Sequence, residues 1–91
     1  MLVVTDIWAP WCGPCKAMMP LIEELAAQYN VPDSQIQIKK VNADEDPDFV
    51  QKHDIRGIPT LIFEKDGEVV EKIVGGKPKS VIIEAIEKHS A

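Results

Sequence analysis

The chain is poor in cysteine, poor in basic charge and without a long apolar run. Two cysteines in 91 residues are too few to staple a fold. A domain of this size buries about two-thirds of the surface its unfolded chain exposes, enough for a core without staples. Ten basic residues stand against 15 acidic ones, a formal net charge of −5. A surface of that sign repels phosphate backbones and anionic lipid, so neither nucleic acid nor membrane is expected as a partner. No stretch approaches the roughly 20 apolar residues that span a bilayer. Met1-Leu-Val-Val-Thr-Asp6 lacks the basic and apolar regions of a signal peptide. The expected location is therefore the cytoplasm, where thiols are kept reduced. The only histidines, His53 and His89, form no pair at ligand spacing, so no metal site is expected. Both are expected at the surface. No Gly-rich dinucleotide motif is present, so the chain is not expected to draw on NADPH alone.

What is present is concentrated in Trp11-Cys12-Gly13-Pro14-Cys15. It holds both cysteines, three positions apart, at an expected junction of strand and helix. Two thiols so spaced can close a small disulfide and reopen it, and beside a βαβ pattern the motif reads as a dithiol redox site. So short a ring constrains the unfolded chain by only about 2 kcal/mol, which makes it a switch and not a staple.

The remaining pattern predicts one domain over 1–91 with element order βαβαββα. Leu2 to Trp8 is nearly all apolar, as in a buried central strand, and Trp8 is expected in the core. From Cys12 to Tyr29 the residues Met18, Leu21, Ile22, Leu25 and Tyr29 recur at helical spacing, with Pro20 expected to kink the helix. Ile36 to Lys40 or Val41 predicts a second strand. Asp44-Glu-Asp-Pro47 opens a short helix reaching about His53. Thr60–Glu64 and Glu68–Val74 predict two strands joined by a Lys65-Asp66-Gly67 turn. Ser80 to His89 predicts a last helix with Val81, Ile82, Ala85 and Ile86 on its apolar face. Such an order gives an α/β fold, a mixed four-stranded sheet with three flanking helices on both faces.

The chemistry of the two thiols follows from their places on the first helix. The thiolate is the nucleophile, and a free thiol is mostly protonated near neutral pH. Unpaired N–H groups and the dipole at a helix start favour an anion there. Cys12 is therefore expected to ionise more readily than Cys15, which lies one turn further in. Cys12 would attack a substrate disulfide and Cys15 would resolve the mixed disulfide. Asp6, a carboxyl in an apolar strand, is expected to have its pKa raised by burial.

Asp6-Ile-Trp-Ala-Pro-Trp-Cys-Gly-Pro-Cys-Lys16 resembles the active-site segment of thioredoxins. Arg56-Gly-Ile-Pro-Thr60 resembles their proline loop. Lys40-Val-Asn-Ala-Asp44 and Val74-Gly75 fall where that family has its lysine strand and its glycine. The resemblance covers essentially the whole chain and implies a thioredoxin-like fold. The family's usual first strand and helix have no counterpart before Leu2, so the chain resembles a minimal form near glutaredoxin size. By this resemblance Asp6 is the general base for Cys15, acting through water, and Lys40 neighbours it. The resemblance also implies a cis Ile58–Pro59 bond and a flat apolar patch of Trp11, Ile58, Pro59 and Gly75 that would dock substrate. Backbone groups of Ile58 would pair with an extended segment. In that family the Gly13-Pro14 pair accompanies a reducing potential, so a reductase is expected.

The expected function is therefore thiol-disulfide exchange that reduces disulfide-containing proteins. No bound cofactor is expected beyond the reversible Cys12–Cys15 disulfide. Electrons come from a thioredoxin reductase or a glutathione system. Two rival readings remain at this level. One is a non-enzymatic binding subunit, such as a processivity factor. The other is a disulfide oxidase or isomerase, against which Gly13-Pro14 and the lack of a leader speak.

Overall fold

The computed structural model describes residues 1–90, so Ala91, the end of the expected domain, lies outside them. The elements follow the predicted order: β1 (Leu2–Trp8), α1 (Gly13–Tyr29), β2 (Ile36–Asn42), α2 (Pro47–Lys52), β3 (Thr60–Lys65), β4 (Glu68–Val74) and α3 (Lys79–Ser90). They build one four-stranded sheet in the order β2-β1-β3-β4. β1 pairs parallel with β2 and antiparallel with β3, which pairs antiparallel with β4.

Alternation along β1 assigns its side chains to two faces. Leu2 and Val4 join Ile38, Leu61, Phe63 and Ile73 in one core, which α1 covers with Met18, Ile22 and Leu25 and α3 with Ile82, Ala85 and Ile86. Asp6 has the parity of Leu2 and Val4, so it points to this side. Thr5 and Ile7 lie on the opposite face with Thr60 and Ile62, and all four are buried. That face carries α2. Its terminal His53 is buried, stacks on Phe49 at 4.4 Å, and receives the Lys72 ammonium on its carbonyl at 2.6 Å. Helices thus occupy both faces, two on one and one on the other.

Local chemistry sets the boundaries. Cys12 caps α1 in an extended conformation, and Pro14 sits in the first turn, where a missing N–H costs nothing. α1 is assigned as one helix through Pro20. Asp46 caps α2 by accepting from the Phe49 amide at 3.1 Å. Asp66 and Gly67 both take positive φ, 52° and 90°, as a two-residue hairpin loop of this twist requires. The β3–β4 register slips between Phe63 and Glu64, which leaves Val70 without an opposite residue. Asn30, just past α1, reaches the outer edge of β2. Its side chain donates to the Ile38 carbonyl at 2.9 Å and accepts from the Ile38 amide at 2.7 Å.

Three placements differ from the sequence reading. His53 is buried under the sheet because the chain turns inward at the end of α2. His89 is half-buried on α3, 2.6 Å from Glu71 on β4 and beside the Phe63 ring. Val81 is 39% exposed, because the stripe of α3 that meets the sheet is centred on Ile82 and Ile86. Among the described residues no helix is long and apolar enough to cross a membrane.

Replacing Asn30 removes two hydrogen bonds that secure a sheet edge. Asn30→Ala is expected to lower stability by about 1–2 kcal/mol. The midpoint of urea unfolding, with unchanged slope, checks this.

Candidate redox site

β1 ends at Trp8, and α1 begins five residues later, so the motif sits on the connection between them. Cys12 and Cys15 are joined by a disulfide. As the cap of α1, Cys12 aims its sulfur back over the first turn, and the Cys15 amide donates to Cys12 Sγ at 3.2 Å. No acidic residue stands in that turn, so nothing there opposes a negative sulfur. Negative charge on Cys12 is favoured by this amide and by the helix dipole together.

The two sulfurs are placed unequally. Cys12 keeps 5% of its surface, while Cys15 keeps none. Both pack with Ala9, against which Trp8 and Ile58 lie half-buried. Trp8 is therefore a wall of the redox site and not a member of the main core. The cis Ile58–Pro59 peptide passes beside the cysteines, with the Ile58 carbonyl oxygen 3.8 Å from Cys12 Sγ. Gly75 holds a positive φ of 90°, a conformation that side chains resist, and its amide donates to the Pro59 carbonyl at 2.8 Å. This bond ties the end of β4 to the proline loop. Gly13 has ordinary backbone angles and open space where a Cβ would stand, so no close packing within the chain demands glycine there.

The surface around the sulfurs is narrower than the sequence suggests. Trp11 is 69% exposed, as expected, and Ile58 and Gly75 are half-exposed. Pro59 is buried, immediately before the start of β3. The apolar surface is extended instead by Val74, 60% exposed. Val74 was not foreseen, since in an isolated strand pattern it is one more β-branched residue. The Trp11 indole N–H donates to both carboxylate oxygens of Asp44, at 3.1 and 3.2 Å. That partner was also missed, though its signal is the parallel pairing itself. Trp8 stands opposite Asn42, and the Ala43 amide bonds the Trp8 carbonyl at 2.8 Å, so the loops after β1 and β2 run side by side.

Asp6 is 1% exposed, and neither carboxylate oxygen has a hydrogen-bond partner. Burial pushes its carboxyl up to about 6, against the pull of Lys40. Lys40 is its register partner on β2 and shares its face of the sheet. The Lys40 ammonium lies 3.6 Å from Glu23 on α1, a second contact that sequence spacing does not disclose.

The family model described as Thioredoxin matches residues 1–88. The chain belongs to the thioredoxin family. It is 49% identical to thioredoxin of Staphylococcus saprophyticus over 86 residues, 94% of this chain and 80% of that one. It is 44% identical to thioredoxin 1 of Synechococcus elongatus over 87 residues, 96% of this chain and 78% of that one. Among solved structures it is similar to a Nicotiana alata thioredoxin, with a TM-score of 0.86 and 38% identity over 97% of this chain and 72% of that one. With its Cys12–Cys15 disulfide, the chain is a thiol-disulfide oxidoreductase and a protein-disulfide reductase. As in its family, it works on disulfide-containing substrates and with a partner that reduces it.

The raised pKa of Asp6 has a definite sign for stability. Its folded value lies above the ordinary 3.8, so the folded state holds this proton more tightly than the unfolded one. The stability from that proton is complete below about pH 3.8 and is lost as pH rises through about 6. Asp6→Asn is expected to stabilise the oxidised protein at pH 8 by about 3 kcal/mol relative to its effect at pH 3.5. Urea unfolding at the two pH values measures the difference.

Proposed function

We propose that this chain reduces protein disulfides in the cytoplasm as a single domain over 1–91, with Cys12 as nucleophile, Cys15 as resolving thiol and Asp6 as general base. The observation that carries the assignment is the unequal placement of the sulfurs. Cys12 receives an amide N–H of the helix start at 3.2 Å, and Cys15 is wholly buried behind it.

In the reduced protein the Cys12 thiolate attacks one sulfur of the substrate disulfide. A Cys12–substrate bond forms as the substrate's own S–S bond breaks, and the departing sulfur takes up a proton. Asp6, carrying a pKa of about 6, accepts the Cys15 proton through water at neutral pH. The Cys15 thiolate then attacks Cys12 Sγ. The intramolecular disulfide forms, the mixed disulfide breaks, and the second substrate sulfur leaves and is protonated. Two electrons have passed to the substrate. Lys40 tunes Asp6 by drawing its carboxyl toward the ionised form. Trp11, Ile58, Val74 and Gly75 form the docking strip, Pro59 supports it from beneath, and Gly13-Pro14 shape the turn that carries the sulfurs.

No bound cofactor takes part in this cycle. Electrons return from a thioredoxin reductase or a glutathione system, and insulin reduction run separately with each donor distinguishes them. Support for this function requires Cys12→Ser to abolish turnover and Cys15→Ser to accumulate a mixed disulfide visible by mass spectrometry. Release of product by Cys15→Ser at the unmodified rate overturns the assigned roles.

Asp6→Asn is expected to leave attack by Cys12 nearly intact. Resolution slows roughly a hundredfold at pH 7, the lower end of what a general base contributes. The deficit narrows as pH rises, because Cys15 then ionises without help. Rapid-quench trapping of the mixed disulfide across pH gives both rates.

A further inference from the structure

The contacts around the redox site form a connected series. It starts at Asp44, whose carboxylate holds the Trp11 indole. It continues through Cys12 to the Ile58 carbonyl, and from Pro59 to Gly75. It ends at Lys77, whose ammonium donates to the Val74 carbonyl at 3.2 Å and would stand 3.7 Å from a Cβ on Gly75. Asp44 and Lys77 are both exposed. Two other exposed cations already face acids: Arg56 lies 3.3 Å from Asp54, and Lys79 pairs with Glu24; Lys72 meets the His53 carbonyl away from the strip. Lys77 is held instead by a neutral carbonyl, which leaves its charge uncompensated. At the other end, Glu45, Asp46 and Asp48 follow Asp44 and are exposed too.

We propose that the docking strip has charged ends of opposite sign and selects substrate by them. A disulfide-bearing segment is favoured when it carries a basic residue on the Trp11 side of its cysteine and an acidic residue on the Gly75 side. The inference rests on the reading of this strip as the substrate surface. Its physical basis is complementarity across a short distance. An extended segment advances about 3.3 Å per residue, so flanking charges a few residues from the reacting sulfur fall within the screening length of about 8 Å at physiological salt. Charges at a rim act on encounter and orientation more than on the chemical step, so selection appears in KM and not in kcat.

The test uses peptides with one cysteine in mixed disulfide with thionitrobenzoate, whose release is followed by absorbance. One peptide has two lysines before the cysteine and two glutamates after it, a second reverses the order, and a third has alanines at these positions. The faster charged peptide is expected to show a KM about threefold or more below that of the alanine peptide at low salt, with equal kcat. The advantage fades at 0.5 M NaCl, roughly where screening closes to a few ångströms. Lys77→Met keeps the apolar stem and removes the charge. Asp44→Asn keeps an oxygen for the Trp11 indole and removes the charge. Each is expected to lose part of the advantage, and together they abolish it, so that the three peptides share one KM. Equal KM for all three peptides overturns the proposal, as does an advantage that survives both substitutions. Failure to reduce even the alanine peptide contradicts the reductase assignment instead, which separates the two conclusions.

Discussion

One hydrogen bond organises this molecule: the Cys15 amide directed at Cys12 Sγ. It exists because a cysteine occupies the capping position of α1, where serine or aspartate would ordinarily accept from the first turn. A capping side chain is chosen for its affinity for unpaired amides, so the same geometry that starts the helix also favours a negative sulfur. The sheet serves this arrangement. β1 runs through the centre, delivers the motif to the sheet's end, and buries Asp6 two residues before that end. β3 begins at the proline loop, and β4 ends at Gly75, so three strand ends converge on two sulfurs.

The buried carboxyl shows what that convergence costs. A polar group removed from water without a partner is unfavourable, and Asp6 has no partner for either oxygen. The core around it is otherwise apolar on its own face, from Leu2 and Val4 to Ile82 and Ile86. The fold therefore contains one group that weakens it as the solution becomes neutral. Under the proposed role, a carboxyl poised near 6 is matched to taking a proton from a buried thiol.

Much of this was legible from the order of residues. The apolar run of β1, the helical recurrence of Met18, Ile22 and Leu25, and the Asp66-Gly67 turn each fix their element by local physics. The Cys12 and Cys15 asymmetry followed from their distance along one helix, and the Asp6 burial from its apolar neighbours. What stayed hidden depends on elements distant in the chain. Asp44 meets Trp11 only because parallel strands align two loops. Glu23 meets Lys40 only because α1 lies across β2. His53 and His89 were read as surface residues because a single histidine carries no periodicity. Their burial is decided by where α2 and α3 close on the sheet. Pro59 was assigned to an exposed patch by the family resemblance, whereas here it is buried beside the half-exposed Ile58.

The slipped register on β4 has a consequence for how molecules meet. Edge strands normally offer an even ladder of amides and carbonyls that another chain can copy. At Val70 that ladder is interrupted, and Glu68 and Glu71 flank the gap with like charge. A second strand laid along this margin would fall out of step with it after a few residues.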